Sequence, residues 1–297
     1  MKRKLLILPL LLCYFCLAFA ASDPLQFAAI GDMGCGCAAQ EAIAEEMLEW
    51  HGRYPFRFVL TTGDNVYGDS FQRFWNRRRG GDKALFNEHF DRYYNALRKR
   101  GVLFFATLGN HDFETRQGRD LINDRSRFNI LSNTGYYYFS PNPDLVTFVA
   151  LNTENILVQN ANPSQLKWLQ KVLSESKSKW KIVYGHHSIY NPPGSHSADL
   201  SLRKALEPIL VKNGVQVYIS GHNHFYARMK PQHGVLYFTT GGGGRHLKTP
   251  RATSETDVVA RAHHFMHFEL REEKLNYWAI PIQGPFLDRG TLRISVE

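Results

Sequence analysis

Seven side chains with metal-binding chemistry fall in five short segments of this sequence, and each segment follows an apolar stretch. The segments are 31–34, 63–67, 109–112, 183–186 and 221–224. A single Gly-Asp or Gly-His pair is common in loops, but five such segments in this order are specific as a set. Carboxylate, phenolate, amide and imidazole groups are donors that transition metals accept. The set predicts one metal site, formed by Asp32, Asp64, Tyr67, Asn110, His186, His222 and His224.

The donor types indicate two different ions. A phenol has an ordinary pKa near ~10, so Tyr67 loses its proton at acid or neutral pH only to a strongly polarising ion such as Fe(III). Imidazole and amide donors suit a divalent ion. Fe(III) and a divalent ion held by three anionic ligands leave a net charge of about +2, which attracts phosphate. Two ions ~3.5–4 Å apart can activate water and stabilise an in-line displacement at phosphorus.

Short buried strands are predicted directly before the ligands, because each run is apolar and ends near a glycine. These runs are 27–30, 58–62, 103–107, 181–184 and 215–219. Helices are predicted between them from apolar residues three and four positions apart, at 40–50, 84–99, 164–176 and 200–211. This alternation is typical of a layered α/β fold, in which loops at the carboxyl ends of strands form the ligand crevice.

The C-terminal part changes to a two-residue repeat. Apolar residues alternate over 264–270 and again over 275–279, with a charged turn between them, which predicts an antiparallel hairpin that closes a sheet. His263, His264 and His267 alternate along this strand, so they cannot all face one metal. Because Asp32 and His224 must meet in one site, we expect residues 24–297 to form a single catalytic domain.

The first twenty residues have the pattern of a cleaved secretory leader. Three basic residues precede an apolar run, which ends in Ala18-Phe19-Ala20. An uncleaved anchor is the alternative, but the run is shorter than the ~20 residues that a spanning helix needs. We therefore expect residues 1–20 to be removed and the protein to be secreted or periplasmic, without stable membrane insertion.

The mature chain stays basic and favours anionic partners. Loss of Lys2, Arg3 and Lys4 leaves 33 basic residues against 27 acidic ones, a net charge of about +6. The densest basic run, 77–79, is interpreted as a solvated helix end or loop, because no nucleic-acid-binding motif accompanies it. We expect no nucleic-acid partner, and the sequence leaves the oligomeric state open.

Two further features near the motifs have more than one interpretation. Cys35 and Cys37 could form a strained bridge, two thiols near the metal or inert packing, and inert packing or an incidental oxidation is favoured because partners two residues apart suit a disulfide poorly. Gly241–Gly244 resembles a phosphate cradle but lacks a following Lys-Ser/Thr. A flexible loop at the rim of the site is the preferred interpretation of this glycine run.

Together, the five segments resemble the signature of calcineurin-like metallophosphoesterases. The tyrosine of Gly63-Asp64-x-x-Tyr67 is similar to that of purple acid phosphatases, and the small, tartrate-resistant type fits best. From Gln26 onward the resemblance implies a four-layer α/β sandwich of two mixed β-sheets flanked by helices. It implies a first metal bound by Asp32, Asp64, Tyr67 and His224, and a second bound by Asp64, Asn110, His186 and His222, so that Asp64 bridges.

The resemblance also implies the reaction and further site residues. The expected activity is hydrolysis of small-molecule or protein phosphomonoesters by a hydroxide bound to Fe(III) and divalent Fe, Zn or Mn. The catalytic candidates that it implies are His111, which would touch the substrate or the leaving group, and Asp112, which resembles a residue that supports its neighbour. His187 and His196 are further catalytic candidates from the residues alone, because an imidazole in a motif loop can deliver a proton near neutral pH. An ordinary surface or hydrogen-bonded histidine is the alternative for each of these two. A phosphodiesterase or nucleotide-directed enzyme with the same metals, and an exported metal or phosphate binder without turnover, are the alternatives.

Overall fold

A computed structural model describes residues 23–68, 83–113, 121–158, 162–194 and 196–294 of the chain. The predicted leader and the basic run at 77–79 lie outside these residues. Thirteen strands occur in the described part: β1 Leu25–Ile30, β2 Phe58–Thr61, β3 Leu103–Ala106, β4 Tyr137–Asn142, β5 Val146–Ala150, β6 Trp180–Tyr184, β7 Val217–Ser220, β8 Tyr226–Met229, β9 Leu236–Thr240, β10 Thr256–Ala260, β11 His264–Leu270, β12 Lys274–Pro281 and β13 Asp288–Arg293.

The helices of the described residues lie mostly between these strands. They are α1 Ala38–Arg53, α2 Lys83–Phe86, a π-helical turn Asn87–Asp91, α3 Arg92–Lys99, α4 Asn110–Phe113, α5 Thr153–Val158, α6 Pro163–Glu175 and α7 Leu200–Lys212. Side-chain caps explain two of the helix starts, since Asn162 accepts a hydrogen bond from the Gln165 amide and Asp199 accepts one from the Leu202 amide. Both helices begin where the sequence predicted.

Two mixed sheets form the fold. One has the strand order β13-β12-β11-β1-β2-β3 and the other β10-β8-β9-β7-β6-β5-β4. β1, β2 and β3 run parallel, as do β5, β6, β7 and β9, while the outer strands pair antiparallel. The β11–β12 hairpin pairs in register from His264 with Pro281 to Leu270 with Leu275, which confirms the predicted C-terminal hairpin. The four-layer sandwich of two mixed sheets flanked by helices is likewise confirmed.

Aromatic side chains fill the space between the sheets. The Phe27 ring lies 5.0 Å from Phe148 of the opposite sheet and 4.8 Å from Phe268 of its own. On the outer faces, α1 packs against the first sheet, and apolar residues of α5, α6 and α7 pack against the second. Near the carboxyl ends of the strands a backbone hydrogen bond joins the sheets, since the Gly31 amide donates to Thr240 at 2.9 Å. The ligand-bearing loops emerge at this junction.

Candidate metal centre

All seven predicted ligands meet at the edge where the two sheets join. Asp32, Asp64, Tyr67 and Asn110 follow β1, β2 and β3 of the first sheet, and His186, His222 and His224 follow β6 and β7 of the second. Because parallel strands end at the same edge of a sheet, both sets of loops reach a common point. The seven side chains divide into two groups of donor atoms, and Asp64 lies between the groups.

The first donor group surrounds Asp32. Its Oδ1 atom lies 3.1 Å from the Tyr67 hydroxyl and 3.3 Å from His224 Nε2, and the hydroxyl is 3.5 Å from the same imidazole nitrogen. Asp32 and Tyr67 are buried. Burial and the charges of Asp32 and Asp64 raise the pKa of Tyr67 well above its ordinary value. Tyr67 can therefore become a phenolate here only if a strongly polarising cation replaces its proton.

The second donor group surrounds Asn110. Its Oδ1 atom lies 3.1 Å from His186 Nε2 and 3.1 Å from His222 Nδ1, and these two nitrogens are 3.1 Å apart. Asp64 Oδ1 lies 3.6 Å from His186 Nε2 and also accepts a hydrogen bond from the His111 amide. Three lone-pair donors and a carboxylate therefore face one small volume.

Asp64 belongs to both groups. Its carboxylate forms a hydrogen bond with Tyr67 of the first group and lies beside His186 of the second. One oxygen or nitrogen donor from each of Asp32, Asp64 and His186 falls within 4.8 Å of the other two. Burial, followed by the charge of Asp32, raises the pKa of Asp64 to about 7. Two buried carboxylates this close are stabilised in their charged forms when a cation lies between them.

The spacing of the donors fits two metal ions. A metal bound at about 2.0–2.2 Å from each ligand holds neighbouring ligand atoms about 3–3.6 Å apart. The donor atoms of both groups are separated by 3.1–3.6 Å. The donor types also fit, since the first group is rich in anionic oxygen and the second in neutral nitrogen.

Backbone carbonyls orient two of the imidazoles. Thr62 O accepts a hydrogen bond from Nδ1 of His186 at 2.8 Å, and His246 O accepts one from Nδ1 of His224 at 2.9 Å. Because Nδ1 of each ring carries the proton, the Nε2 lone pair points into the centre. This is the usual support of a metal-binding histidine.

Three of the seven residues adopt a left-handed backbone conformation. Asp32, Asp64 and His222 have φ values of 58°, 51° and 65°, and only two other non-glycine residues of the described part have positive φ. Strained backbone of this kind concentrates at functional sites. Gly63 has φ 86°, and a Cβ atom there would lie 2.6 Å from His186 Nδ1. The absence of a side chain at Gly63 thus allows the loops of the two sheets to meet.

His111 and His196 are placed at the opening of the centre. The half-buried His111 ring lies 4.7 Å from the Tyr67 ring, and the exposed His196 ring lies 4.1 Å from that of His222. Burial, followed by the charge of His224, lowers the pKa of His196. Each of these catalytic candidates therefore contacts a candidate ligand of a different donor group.

His187 is held differently. It is buried, its Nδ1 lies 3.0 Å from the Thr153 hydroxyl, and its Nε2 lies 3.2 Å from Glu154 Oε1. Its ring packs 4.4 Å from His222. Because both ring nitrogens already have partners, His187 is suited to positioning His222 rather than to transferring a proton to substrate.

Asp112 also has a positioning geometry. Its buried carboxylate accepts hydrogen bonds from the amides of Gly109 (2.8 Å) and Asn65 (3.1 Å) and from the Asn65 side chain (2.9 Å). These contacts join the loops after β2 and β3, which carry Asp64 and Asn110. Burial and the charge of Asp64 raise the pKa of Asp112 to about 7, and the hydrogen-bond donors oppose this shift. This geometry suits support of the two loops, which is the role that the resemblance implies for Asp112.

Inert packing of Cys35 and Cys37, and a flexible rim loop at Gly241–Gly244, were wrong interpretations. Cys35 and Cys37 form a disulfide with a Cα–Cα distance of 5.3 Å, because the extended backbone at Cys37 lets the two sulfurs meet across Gly36, which has φ 65°. Gly241–Gly244 is no loose rim loop, since all four glycines are buried, and Gly241 and Gly243 pack against Asp32 and Gly31 of the first metal-binding segment.

Glu154 and Arg245 are site residues that the sequence did not indicate. Glu154 lies in the first turn of α5, just after β5, and β5 was not among the predicted strands. The rule that ligand loops follow the carboxyl ends of strands would have pointed to it. Arg245 follows the glycine run, and its guanidinium carbon lies 4.6 Å from the centre of the Tyr67 ring. Because the glycine run was interpreted as a flexible rim loop, no fixed position was predicted for Arg245.

The chain resembles known phosphoesterases over most of its length. The family model described as calcineurin-like phosphoesterase matches residues 25–226. Purple acid phosphatase 17 of Arabidopsis thaliana is 30% identical over 76% of this chain and 70% of that protein. Human tartrate-resistant acid phosphatase type 5 is 27% identical over 76% and 75%.

A solved structure shares the fold. The structure entitled "GAP50 the anchor in the inner membrane complex of Plasmodium" has a TM-score of 0.75 and 19% identity, and the match covers 93% of this chain and 90% of that one. At this identity the likeness establishes the fold alone. Combined with the family match and the sequence relatives, the observations show that this chain belongs to the calcineurin-like phosphoesterases, as a phosphoric ester hydrolase of the purple acid phosphatase group.

Proposed function

We propose that this protein is an exported acid phosphatase that hydrolyses phosphomonoesters at a dinuclear centre of Fe(III) and divalent Fe, Zn or Mn. The observation that carries this proposal is the pair of donor groups around Asp32 and Asn110, joined by Asp64, at spacings that suit two ions. Export rests on the leader pattern of residues 1–20, and residues 24–297 would form the catalytic domain. No helix of the described residues is both long and apolar enough to cross a membrane.

The division of ligands follows from donor chemistry. Asp32, Tyr67 and His224 would hold Fe(III), because two anionic oxygens stabilise the higher charge. Asn110, His186 and His222 would hold the divalent ion with neutral donors. Asp64 would bridge, since its carboxylate reaches a residue of each group.

The residues around the centre would divide the remaining work. Bound ions would supply the polarisation of water and of the phosphate oxygens that hydrolysis requires. His111 and His196 lie at the opening, where an imidazole can hold a proton for the departing alcohol oxygen. His187 with Glu154, and Asp112 with Asn65, would keep the ligand loops in place.

The direct test compares two ester classes on purified mature protein loaded with iron and zinc. An aryl phosphate should be hydrolysed faster than its bis-aryl diester at acid pH, and the protein should show a visible absorption band from phenolate bound to Fe(III). Preferred hydrolysis of the diester would assign the phosphodiesterase function instead.

A third outcome concerns proteins that keep the fold without turnover. The Plasmodium protein that shares the fold is described as an anchor, so a binding role is a further candidate function for this fold. Tight phosphate binding with no hydrolysis of either ester, on protein that carries two metals by elemental analysis, would assign this chain to a binding role and refute the proposal.

A further inference from the structure

The glycine run Gly241–Gly244 fixes the chain directly beneath the first metal-binding loop. The Gly243 amide donates a hydrogen bond to Gly31 O at 3.0 Å, and a Cβ atom on Gly243 would lie only 2.3 Å from that oxygen. All four glycines are buried. The run is therefore a rigid crossing, and it determines where the next residue, Arg245, is placed.

The segment after the run encloses the Asp32 donor group. The Arg245 amide donates to Asp32 O at 3.2 Å, and the Lys248 amide donates to His224 O at 2.9 Å. Between them, the His246 carbonyl accepts from the His224 ring. Residues 245–248 thus contact two of the three residues of this donor group, Asp32 at its backbone carbonyl and His224 at both its carbonyl and its ring.

The guanidinium group of Arg245 lies against the third. Its central carbon is 4.6 Å from the centre of the Tyr67 ring, and the half-buried His111 also contacts this ring. Within the described part of the chain, no Asp or Glu forms an ion pair with Arg245. Arg245 is half-buried, so its charge is held near the centre rather than released into solvent.

We propose that Arg245 is a specificity-determining residue that binds a non-bridging oxygen of the substrate phosphate and so favours monoesters over diesters. The planar guanidinium donates paired hydrogen bonds to phosphate oxygens, and a charge-assisted contact is about twice as strong as a neutral one. A monoester dianion carries one negative charge more than a diester and offers one more unsubstituted oxygen. A fixed cation at this position therefore contributes more to monoester binding.

This inference rests on the proposed phosphatase function, and its test uses the complete metal-loaded protein. The variants are Arg245→Gln, which removes the charge, and Arg245→Lys, which keeps the charge but cannot donate the paired hydrogen bonds of a guanidinium. Arg251→Gln is the matched control, because Arg251 is an exposed residue of the same segment. Its substitution changes the net charge by the same amount as Arg245→Gln. Each variant is assayed on an aryl phosphate and its bis-aryl diester, and its dissociation constant for inorganic phosphate is measured by calorimetry.

Arg245→Gln should raise KM for the monoester and the phosphate dissociation constant about tenfold, the effect of losing one charge-assisted contact. In the same variant, KM for the diester should change by less than about threefold. Arg245→Lys should give values between those of Arg245→Gln and the unaltered protein, and Arg251→Gln should give those of the unaltered protein. Metal content and thermal midpoint should stay the same in all three variants. Loss of metal in Arg245→Gln would instead make Arg245 a support for Tyr67 and would overturn the inference.

Two other results decide between this inference and the proposed function. Equal losses on both esters, or an unchanged phosphate dissociation constant in Arg245→Gln, would refute the role of Arg245. If the unaltered protein binds phosphate but hydrolyses neither ester, the proposed function fails, while the phosphate dissociation constants still decide whether Arg245 binds the anion.

Discussion

Tyr67 is the residue that most narrows the identity of the first ion. Its hydroxyl is buried between Asp32 and His224, and the two nearby carboxylates disfavour loss of its proton. Only a cation with a high charge density reverses that preference. The same phenol contacts His111 and Arg245, so one side chain joins the candidate ligands to the candidate substrate contacts.

Replacing this phenol tests the assignment directly. Tyr67→Phe should abolish the visible absorption band, lower the iron content and reduce kcat/KM at least about tenfold. Loss of a residue that only orients a metal ligand already costs about tenfold or more in metal affinity or activity, and loss of the ligand itself should cost no less. Tyr190→Phe is the control, since the Tyr190 hydroxyl donates to Glu207 and its ring packs against Tyr237 and Arg203, none of which is a candidate ligand. An unaltered band and iron content in Tyr67→Phe would show that the phenol binds no metal.

At the level of residues, the sequence indicated the donors but not their supports. The ligands are recognisable because Asp, Tyr, Asn and His next to glycine are unusual after apolar strands. Thr62, which orients His186 through its carbonyl, could not be found in this way, because any residue has a carbonyl. Glu154 and Arg245 act through side chains that also occur on ordinary surfaces. Only the folded chain reveals their proximity to His187 and Tyr67.

At the level of elements, each ligand is presented by the turn that ends a strand. Glycine precedes Asp32, Asp64 and His222, and each of these three residues has the left-handed backbone conformation that occurs in tight turns. The turns are so tight that neighbouring loops touch. This closeness explains why small glycines, rather than longer polar linkers, separate the strands from the ligands.

Gly63 offers the sharpest test of this arrangement. Gly63→Ala should lower the divalent metal content and kcat/KM, because its Cβ atom would meet His186 Nδ1 at 2.6 Å and the Gly109 amide at 2.8 Å. Gly214→Ala is a close control, since Gly214 also has positive φ but has no atom within 4 Å of the added carbon. That variant should lose about 1 kcal/mol of stability and keep both metals by elemental analysis. Equal metal loss in Gly63→Ala and Gly214→Ala would mean that backbone strain, and not the contact with His186, causes the loss.

The predicted elements agree with the structure where hydrophobic periodicity is strong. Helices α6 and α7 begin within a residue of their predicted starts, because an N-cap and an apolar face mark them. Strands β5, β8, β10 and β13 were not predicted. β8, β10 and β13 lie toward the outer parts of their sheets and mix polar with apolar residues, whereas β5 is apolar but is not followed by the glycine that marked the predicted strands. The strand order across each sheet could not be predicted either, because it depends on contacts between distant segments.

At the level of the whole molecule, β11 connects the interior of the sandwich to its outer layer. Neighbouring side chains of a strand point to opposite faces. Phe268 accordingly packs between the sheets, while His267 packs under α1 beside Trp50 and Trp278. Burial and, to a smaller extent, the charge of His51 lower the pKa of His267 to about 4. Its Nδ1 atom is buried without a hydrogen-bond partner among the described residues.

A protein that works in acid must tolerate this buried imidazole. His267 is neutral in the fold, whereas in the unfolded chain it gains a proton below its ordinary pKa of 6.5. Its contribution to stability is therefore complete above pH 6.5, falls as the pH drops towards 4 and levels off below that value. A shift of this size corresponds to about 3 kcal/mol.

His267→Phe keeps the aromatic packing and removes the titrating group. The free energy of unfolding, measured by urea denaturation at a series of pH values, should therefore decline about 3 kcal/mol less than that of the unaltered protein between pH 6.5 and 4. His233→Asn, in an exposed turn with positive φ, is the control and should keep the full decline, since asparagine accepts that backbone conformation. Parallel pH curves for His267→Phe and the unaltered protein would mean that another group governs acid unfolding. A flatter curve would show that protonation of His267, packed between β11 and α1, contributes to the loss of stability in acid.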